Sequence, residues 1–347
     1  MDEISILGGP QATETTIVLG GSLGRIAERA GGRNAVLVVD KNVARLHAKL
    51  LPDLPRIEIE ADEKNKTLTT VGKIYDFLLE NRIDRDSHVI AVGGGLVLDV
   101  AGFAASTYKR GVRCIYGPTT LLAQADAGIG GKTGVNLHGY KNLVGTFRMP
   151  EAIVIDPAVL LTLPKEEVGN GFAEIIKHGA IADASLFDLL EKNAQKAMRL
   201  DPQMMRDVLK RSIKVKTTIV QKDERETLGE RMLLNFGHTL GHAIEKEGGL
   251  AHGMAISIGM VAAANLSRKK AGLKEAEEKR LMSVLEAFGL PTRLPKGVSV
   301  EKLMAAMAQD KKRLDGKLAF VMLERIGKAG VEKIDMQELE ECIRDLC

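Results

Sequence analysis

In the first half of the chain, short apolar runs alternate with stretches whose apolar positions recur every three or four residues. Thr16-Ile-Val-Leu19, Ala35-Val-Leu-Val-Val39 and His88-Val-Ile-Ala-Val92 have the length and the β-branched content of buried strands. Leu23 to Ala30 and Leu68 to Leu79 carry helical spacing, and Ile57-Glu-Ile-Glu60 alternates as an edge strand does. Strands interleaved with helices predict an α/β domain with a mostly parallel sheet. Beyond Leu163 the strand signal fades. Helical spacing dominates from Glu166 to Ala271 and from Glu275 to Ala308, and one strand is expected at Leu318-Ala-Phe-Val-Met322. The expected organisation is an α/β domain over 1–163 and a mainly helical domain over 164–347.

Composition narrows the class. A chain of 347 residues is long enough for two domains with real cores. Trp is absent and aromatics are few, which argues against stacking platforms for single-stranded nucleic acid. The net charge is +3 with both signs interspersed, so no basic tail points to nucleic acid or a membrane surface. The three Cys, at 114, 342 and 347, show no pairing or CxxC spacing, as in a reducing cytoplasm. The first residues lack the basic and apolar regions of a signal peptide, and no apolar run is long enough to span a bilayer.

The chemistry concentrates in Arg231-Met-Leu-Leu-Asn235-Phe-Gly-His238-Thr-Leu-Gly-His242-Ala-Ile-Glu245, with Ala251-His252-Gly253 just beyond; three of the seven His lie here. If the segment is one helix, Arg231, Asn235, His238 and His242 share a face, while Leu233, Leu234, Leu240 and Ile244 bury the rest. A buried face bearing those groups is costly without partners, and a metal with an anionic ligand would supply them. Phe172-Ala-Glu174-Ile-Ile-Lys177-His178-Gly179 adds a carboxylate. Glu174 with two imidazoles and an open position is the donor pattern of a catalytic zinc site; spacing leaves open whether the second nitrogen is that of His242 or His252. The bland alternatives are core-satisfied histidines and a surface Glu174–Lys177 ion pair.

Gly93-Gly94-Gly95 follows a strand and opens a helix near Leu96. Glycines there permit positive φ and let backbone N–H groups approach a pyrophosphate, with Asp99 one turn on as an acceptor. Asp40 and Asn42 end the second strand, where acidic residues bind ribose or merely cap a helix. Gly128-Ile-Gly-Gly-Lys132-Thr-Gly134 resembles a phosphate loop without being a Walker A motif; with Lys141 and Asn142 it offers an anion nest. Lys216, Lys311 and Lys312 are cations on helical patterns. The residues alone thus predict an enzyme with a nucleotide, a divalent metal and an anionic substrate.

Several stretches, in one order over nearly the whole chain, resemble the 3-dehydroquinate synthase family of sugar-phosphate cyclases. They are Gly93 to Gly111, Pro118 to Thr133, Lys141-Asn142-Leu-Val-Gly, Glu174-Ile-Ile-Lys177, Leu234 to Glu245 and His252-Gly253. The resemblance implies a Rossmann-like NAD-binding domain and a helical domain with the site in the cleft between them. It implies Glu174, His238 and His252 as ligands of Zn2+ or Co2+, with His242 a catalytic hydrogen-bonding residue. NAD is expected across Asp40, Asn42, Glu63, Lys66, Gly93, Gly94, Gly95, Asp99, Thr119, Thr120, Lys132, Lys141 and Thr162. Substrate is expected at Asp126, Lys132, Asn142, Lys177, Lys216, Arg231, Asn235 and one or both of Lys311 and Lys312. Arg110 is expected to reach the neighbouring subunit's phosphate site, which implies a homodimer. The implied reaction converts 3-deoxy-D-arabino-heptulosonate 7-phosphate to 3-dehydroquinate and phosphate in the shikimate pathway.

Three positions depart from the family's common residues: Leu98 for Gly, Met254 for Glu after His-Gly, and His178 for Tyr. A sister cyclase acting on a carboxylate-free sugar phosphate is the nearest alternative; Arg231 and Lys216, suited to a carboxylate, argue for the dehydroquinate reaction. A metal-dependent polyol dehydrogenase would instead produce NADH steadily and release no phosphate.

Overall fold

The computed structural model describes residues 2–6, 14–311 and 317–346. The chain divides into two compact units, Met1–Pro164 and Lys165–Cys347.

The first unit holds strands β1 (Asp2–Ile6), β2 (Thr15–Leu19), β3 (Ala35–Asp40), β4 (Arg56–Ile59), β5 (His88–Gly93), β6 (Arg113–Pro118), β7 (Lys132–Leu137), β8 (Tyr140–Phe147) and β9 (Ala152–Ile155). Its α-helices are α1 (Lys41–Leu46), α2 (Leu68–Glu80) and α3 (Gly95–Thr107), and Leu23–Ala30 is a 3-10 helix. Seven strands form one sheet in the order β1-β2-β9-β6-β5-β3-β4, parallel except for β1. The apolar runs build both faces. Leu37, Val39, Ile90, Val92 and Ile115 pack with Leu23 and Ile26, while Val36, Val38, Val89 and Ala91, equally buried, point the other way. The alternating segment at 57–60 falls on β4, the sheet edge, as expected.

The segment expected as a phosphate loop, Gly128 to Gly134, is a turn with Gly130 and Gly131 at positive φ that runs straight into a β-hairpin. Lys132 opens β7, which pairs antiparallel with β8. Hydroxyls anchor it: Ser106 Oγ lies 2.7 Å from Thr146 Oγ1, which lies 2.8 Å from Thr133 Oγ1.

The second unit contains α4 (Lys165–Ala182), α5 (Ala184–Met198), α6 (Pro202–Lys222), α7 (His238–Gly248), α8 (His252–Lys270), α9 (Glu275–Ala287), α10 (Val300–Lys311) and α11 (Met336–Arg344). The strand expected at 318–322 is β10 (Leu318–Arg325), paired with β11 (Lys328–Ile334) in a hairpin. Among the described residues no helix is long and apolar enough to cross a membrane.

The helix imagined from Arg231 through His242 is two elements. Glu230–Asn235 is a short 3-10 helix, and α7 begins only at His238. Gly237 separates them at φ +78, a left-handed backbone that ends one element and starts the next. Any side chain there would also collide: its Cβ would sit 2.6 Å from Met260 Cγ and 2.7 Å from Met260 N.

Candidate active site

The second unit brings three of the expected residues to one point. Glu174 is fully buried on α4, His238 is the first residue of α7, and His252 is the first residue of α8. Glycines let the helices approach backbone to backbone. A Cβ on Gly253 would lie 2.5 Å from Asn170 Cα of α4, and one on Gly259 2.0 Å from Gly237 O. Gly241 likewise admits Ile256, whose Cα would be 3.0 Å from an added Cβ.

His238 Nε2 lies 3.4 Å and His252 Nε2 3.3 Å from the same oxygen, Glu174 Oε1. A tetrahedral ion with bonds of about 2.05 Å has ligand-to-ligand edges of about 3.3 Å. The donor set and its spacing therefore fit a zinc-type ion. The ring nitrogens facing away are engaged: His238 Nδ1 lies 3.2 Å from Phe236 O and His252 Nδ1 3.0 Å from Glu245 Oε2. The Glu174–Lys177 pair is not a surface one. Lys177 Nζ ion-pairs with Glu174 Oε2, and the side chains are 1% and 0% exposed. Burial works to raise the Glu174 pKa, but Lys177 and the two imidazoles outweigh it and hold the carboxyl well below its usual range.

His242 stands one turn beyond His238, its ring 5.2 Å away and edge-on. Its pKa is pushed down to about 4, by desolvation first and then by the neighbouring imidazoles, so it is a neutral imidazole near pH 7. His252 goes the other way, to about 9: burial opposes its charge, but hydrogen bonds to Glu174 and Glu245 prevail.

Arg231 is buried, with Nη1 donating to Glu224 O at 2.7 Å and Nε 3.6 Å from Glu226 Oε1. Asn235 is exposed, and Lys216 is buried on α6. Lys311 closes α10, and Lys312 lies outside the described residues. Of the departures, His178 is buried with Nδ1 2.7 Å from Ser212 Oγ, and Met254 is half-buried in the first turn of α8.

In the first unit the glycine triplet and Thr119-Thr120 end adjacent parallel strands, where α/β sheets open their ligand crevice. Gly93 pairs with Pro118, and Thr119 N donates to Gly93 O at 2.9 Å. The triplet does not use positive φ, contrary to expectation. Its glycines serve close approach: Cβ atoms on Gly93 and Gly94 would fall 2.7 Å from Val97 Cβ and 3.0 Å from Thr120 Cγ2. Leu98 is buried beside Gly128, where an added Cβ would meet its Cδ1 at 3.3 Å.

Around this strand end Lys66 Nζ contacts Asp99 Oδ2 at 2.6 Å and Asn142 Oδ1 at 2.5 Å. Asn136, which sequence reasoning missed, ties the cluster together. Its Nδ2 donates to Glu63 Oε1 at 2.8 Å, and its Oδ1 accepts from Asn142 N at 2.9 Å. Desolvation raises the Asp99 pKa despite Lys66 and, farther off, Lys132. Lys132 and Lys141 are exposed on the β7–β8 hairpin. Asp126 lies in a π-helical turn, Ala123–Ala127. Asp40 caps α1 by accepting from Asn42 N at 2.7 Å. Thr162 Oγ1 donates to Val159 O and lies 2.9 Å from His47 Nε2. Arg110 follows Lys109, both at positive φ, at the end of α3.

Comparison with known proteins decides the family. The N-terminal model of 3-dehydroquinate synthase matches residues 56–170 and the C-terminal model residues 171–313. The 3-dehydroquinate synthase of Desulforamulus reducens is 41% identical over 91% of this chain and 90% of its own length. That of Halorhodospira halophila is 44% identical over 89% and 88%. The chain belongs to the 3-dehydroquinate synthase family. Among solved structures it is similar to the 2-epi-5-epi-valiolone synthase of Streptomyces hygroscopicus subsp. jinggangensis 5008, determined with NAD+ and Zn2+. That structure has 31% identity and a TM-score of 0.89, and the match covers 99% of this chain and 98% of that one. A 2-deoxy-scyllo-inosose synthase complexed with carbaglucose-6-phosphate, NAD+ and Co2+ matches over the full length of both chains, with 26% identity and a TM-score of 0.88.

Proposed function

We propose that the chain is a 3-dehydroquinate synthase that converts 3-deoxy-D-arabino-heptulosonate 7-phosphate to 3-dehydroquinate and phosphate with no net redox change. The reading rests on one observation above all: two imidazole Nε2 atoms lie at tetrahedral-edge distance from one buried carboxylate oxygen, in a chain of this family. When bound, Zn2+ or Co2+ at Glu174, His238 and His252 supplies Lewis-acid polarisation of a substrate oxygen, and NAD supplies a hydride acceptor that is restored within the cycle.

The chain's own groups do the rest. Lys177 keeps Glu174 ionised and fixes which of its oxygens faces the imidazoles. His242, neutral at working pH, is placed to take and return protons; positioned acid–base groups contribute roughly 10²–10⁴-fold. Arg231, with Lys216, holds the substrate carboxylate; its contacts with Glu224 O and Glu226 are then exchanged for the ligand. Asp126, Lys132, Asn142 and Asn235 bind the sugar phosphate. Asp40, Asn42, Glu63, Lys66, Gly93, Gly94, Gly95, Asp99, Thr119, Thr120, Lys141 and Thr162 would hold NAD. The enzyme works as a homodimer, Arg110 serving the neighbouring subunit's phosphate, in a reducing cytoplasm where the buried thiols of Cys114 and Cys342 stay free.

The test is phosphate release from the heptulosonate phosphate with substoichiometric NAD and the product identified. Many turnovers per NAD yielding 3-dehydroquinate are expected. Stoichiometric NADH without phosphate, or preferred turnover of sedoheptulose 7-phosphate, overturns the reading. Light scattering tests the dimer, and a monomeric mass at assay concentration removes the role given to Arg110.

A further inference from the structure

Two donor sets compete for an ion in the second unit. Among the described residues Glu174, His238 and His252 offer ligand atoms within 4.8 Å of one another, and so do His242, Glu245 and His252. His252 belongs to both, so the orientation of its ring decides between them. Its Nε2 faces Glu174 Oε1 at 3.3 Å and its Nδ1 faces Glu245 Oε2 at 3.0 Å. A neutral imidazole has one lone pair to give, and the opposite nitrogen carries the proton. Both ring nitrogens face a carboxylate, so it is an ion at Glu174 that takes the Nε2 lone pair; the remaining proton then sits on Nδ1, where the Glu245 carboxylate, an acceptor only, accepts its hydrogen bond.

We propose that Glu245 is a positioning residue for the metal centre: it holds His252 as the Nδ1–H tautomer, leaves Nε2 as the ligand atom, and so commits the ion to Glu174, His238 and His252. The inference rests on reading those three as the metal centre. Local structure supports it. His238 is held in the same sense, its Nδ1 3.2 Å from Phe236 O, so both ligand rings present Nε2. Glu245 sits on α7 and reaches α8 across the turn at Gly249, which has φ +63. The Glu245 side chain is 18% exposed, dry enough for the contact to set a tautomer. The charge matters as well as the geometry, because a carboxylate makes its imidazole a stronger donor than a carbonyl does. Position 254, two residues after His252, is Met and has no oxygen to share this duty.

The experiment uses the full-length protein stripped of metal, with Co2+ as the probe. Affinity is measured by competition with a chromophoric chelator and coordination by the visible Co2+ bands; circular dichroism checks folding. Glu245→Ala is expected to bind one Co2+ per chain about 10–100-fold more weakly with unchanged band shape. Glu245→Gln, whose amide oxygen still accepts from Nδ1–H, recovers much of the loss. If Glu245→Ala does not fold, Glu245→Met takes its place with the same expected loss. Unchanged affinity in Glu245→Ala overturns the proposal, as does a change of band shape, which would make Glu245 a ligand. Glu174→Gln separates the two levels: retained tight binding there sinks the metal-centre reading and this inference with it. Abolished binding there, with an indifferent Glu245→Ala, sinks the positioning role alone.

Discussion

Lys66 Nζ lies 2.6 Å from Asp99 Oδ2, with both side chains largely withdrawn from water. The same ammonium reaches Asn142 Oδ1, so one cation joins the segment before α2, the first turn of α3 and the β7–β8 hairpin. Removing one member of such a pair strands the other's charge. Lys66→Ala is expected to cost about 2–4 kcal/mol of stability, and adding Asp99→Asn should return part of it. Thermal unfolding of the single and double variants measures both, and equal midpoints for wild type and Lys66→Ala would show that the pair contributes nothing.

Gly237→Ala puts a Cβ on a left-handed residue and into the backbone of α8. A loss of at least about 2–3 kcal/mol is expected, and because His238 follows directly, metal content should fall too. Unfolding midpoints and metal analysis of purified protein report the two effects. A variant as stable and as metal-replete as wild type would contradict the packing described here.

His242→Asn separates proton handling from ligation. Metal content should stay at wild-type level while turnover drops by roughly 10²–10⁴-fold. Loss of the ion would instead make His242 a ligand.

His88, fully buried at the start of β5, has its pKa lowered by burial, against the pull of Glu151. Facing it are Glu151, with Oε2 at 3.3 Å from Nε2, and the Arg113 and Arg33 cations. A His depressed in the folded state stays neutral while the unfolded chain takes up a proton. Stability from this residue is therefore complete above about pH 6.5 and is lost as the pH falls below it. Calorimetry from pH 7.5 to 5 should show the wild-type midpoint falling more steeply than that of His88→Gln, so the gap between them narrows. Parallel pH dependences would rule this out.

The sheet strands were legible because β3 and β5 are buried on both faces and read as unbroken apolar runs. The β7–β8 hairpin was not. Lys132-Thr-Gly-Val-Asn-Leu137 mixes glycine with polar residues, and its placement depends on hydroxyl contacts with Ser106, far away in sequence. The single helix expected through Arg231 and His242 failed at Gly237, where tertiary crowding by Met260 selects a conformation that periodicity does not encode. The meeting of Glu174, His238 and His252 is likewise a product of helix crossings: spacing offered both His242 and His252 as the second nitrogen donor, and only the resemblance preferred one. Glu245 carried a readable signal, falling seven residues after His238 on the same helical face, but its partner lies on the next helix.

The crossings of α8 with its neighbours are made by main chain, at Gly253 against Asn170 and Gly259 against Gly237. The spacing of the helices that carry Glu174, His238 and His252 is thus set by how near two polypeptide backbones can come. Side chains lining this region can change without moving the helix axes, whereas Gly237, Gly253 and Gly259 leave no room for even a methyl group.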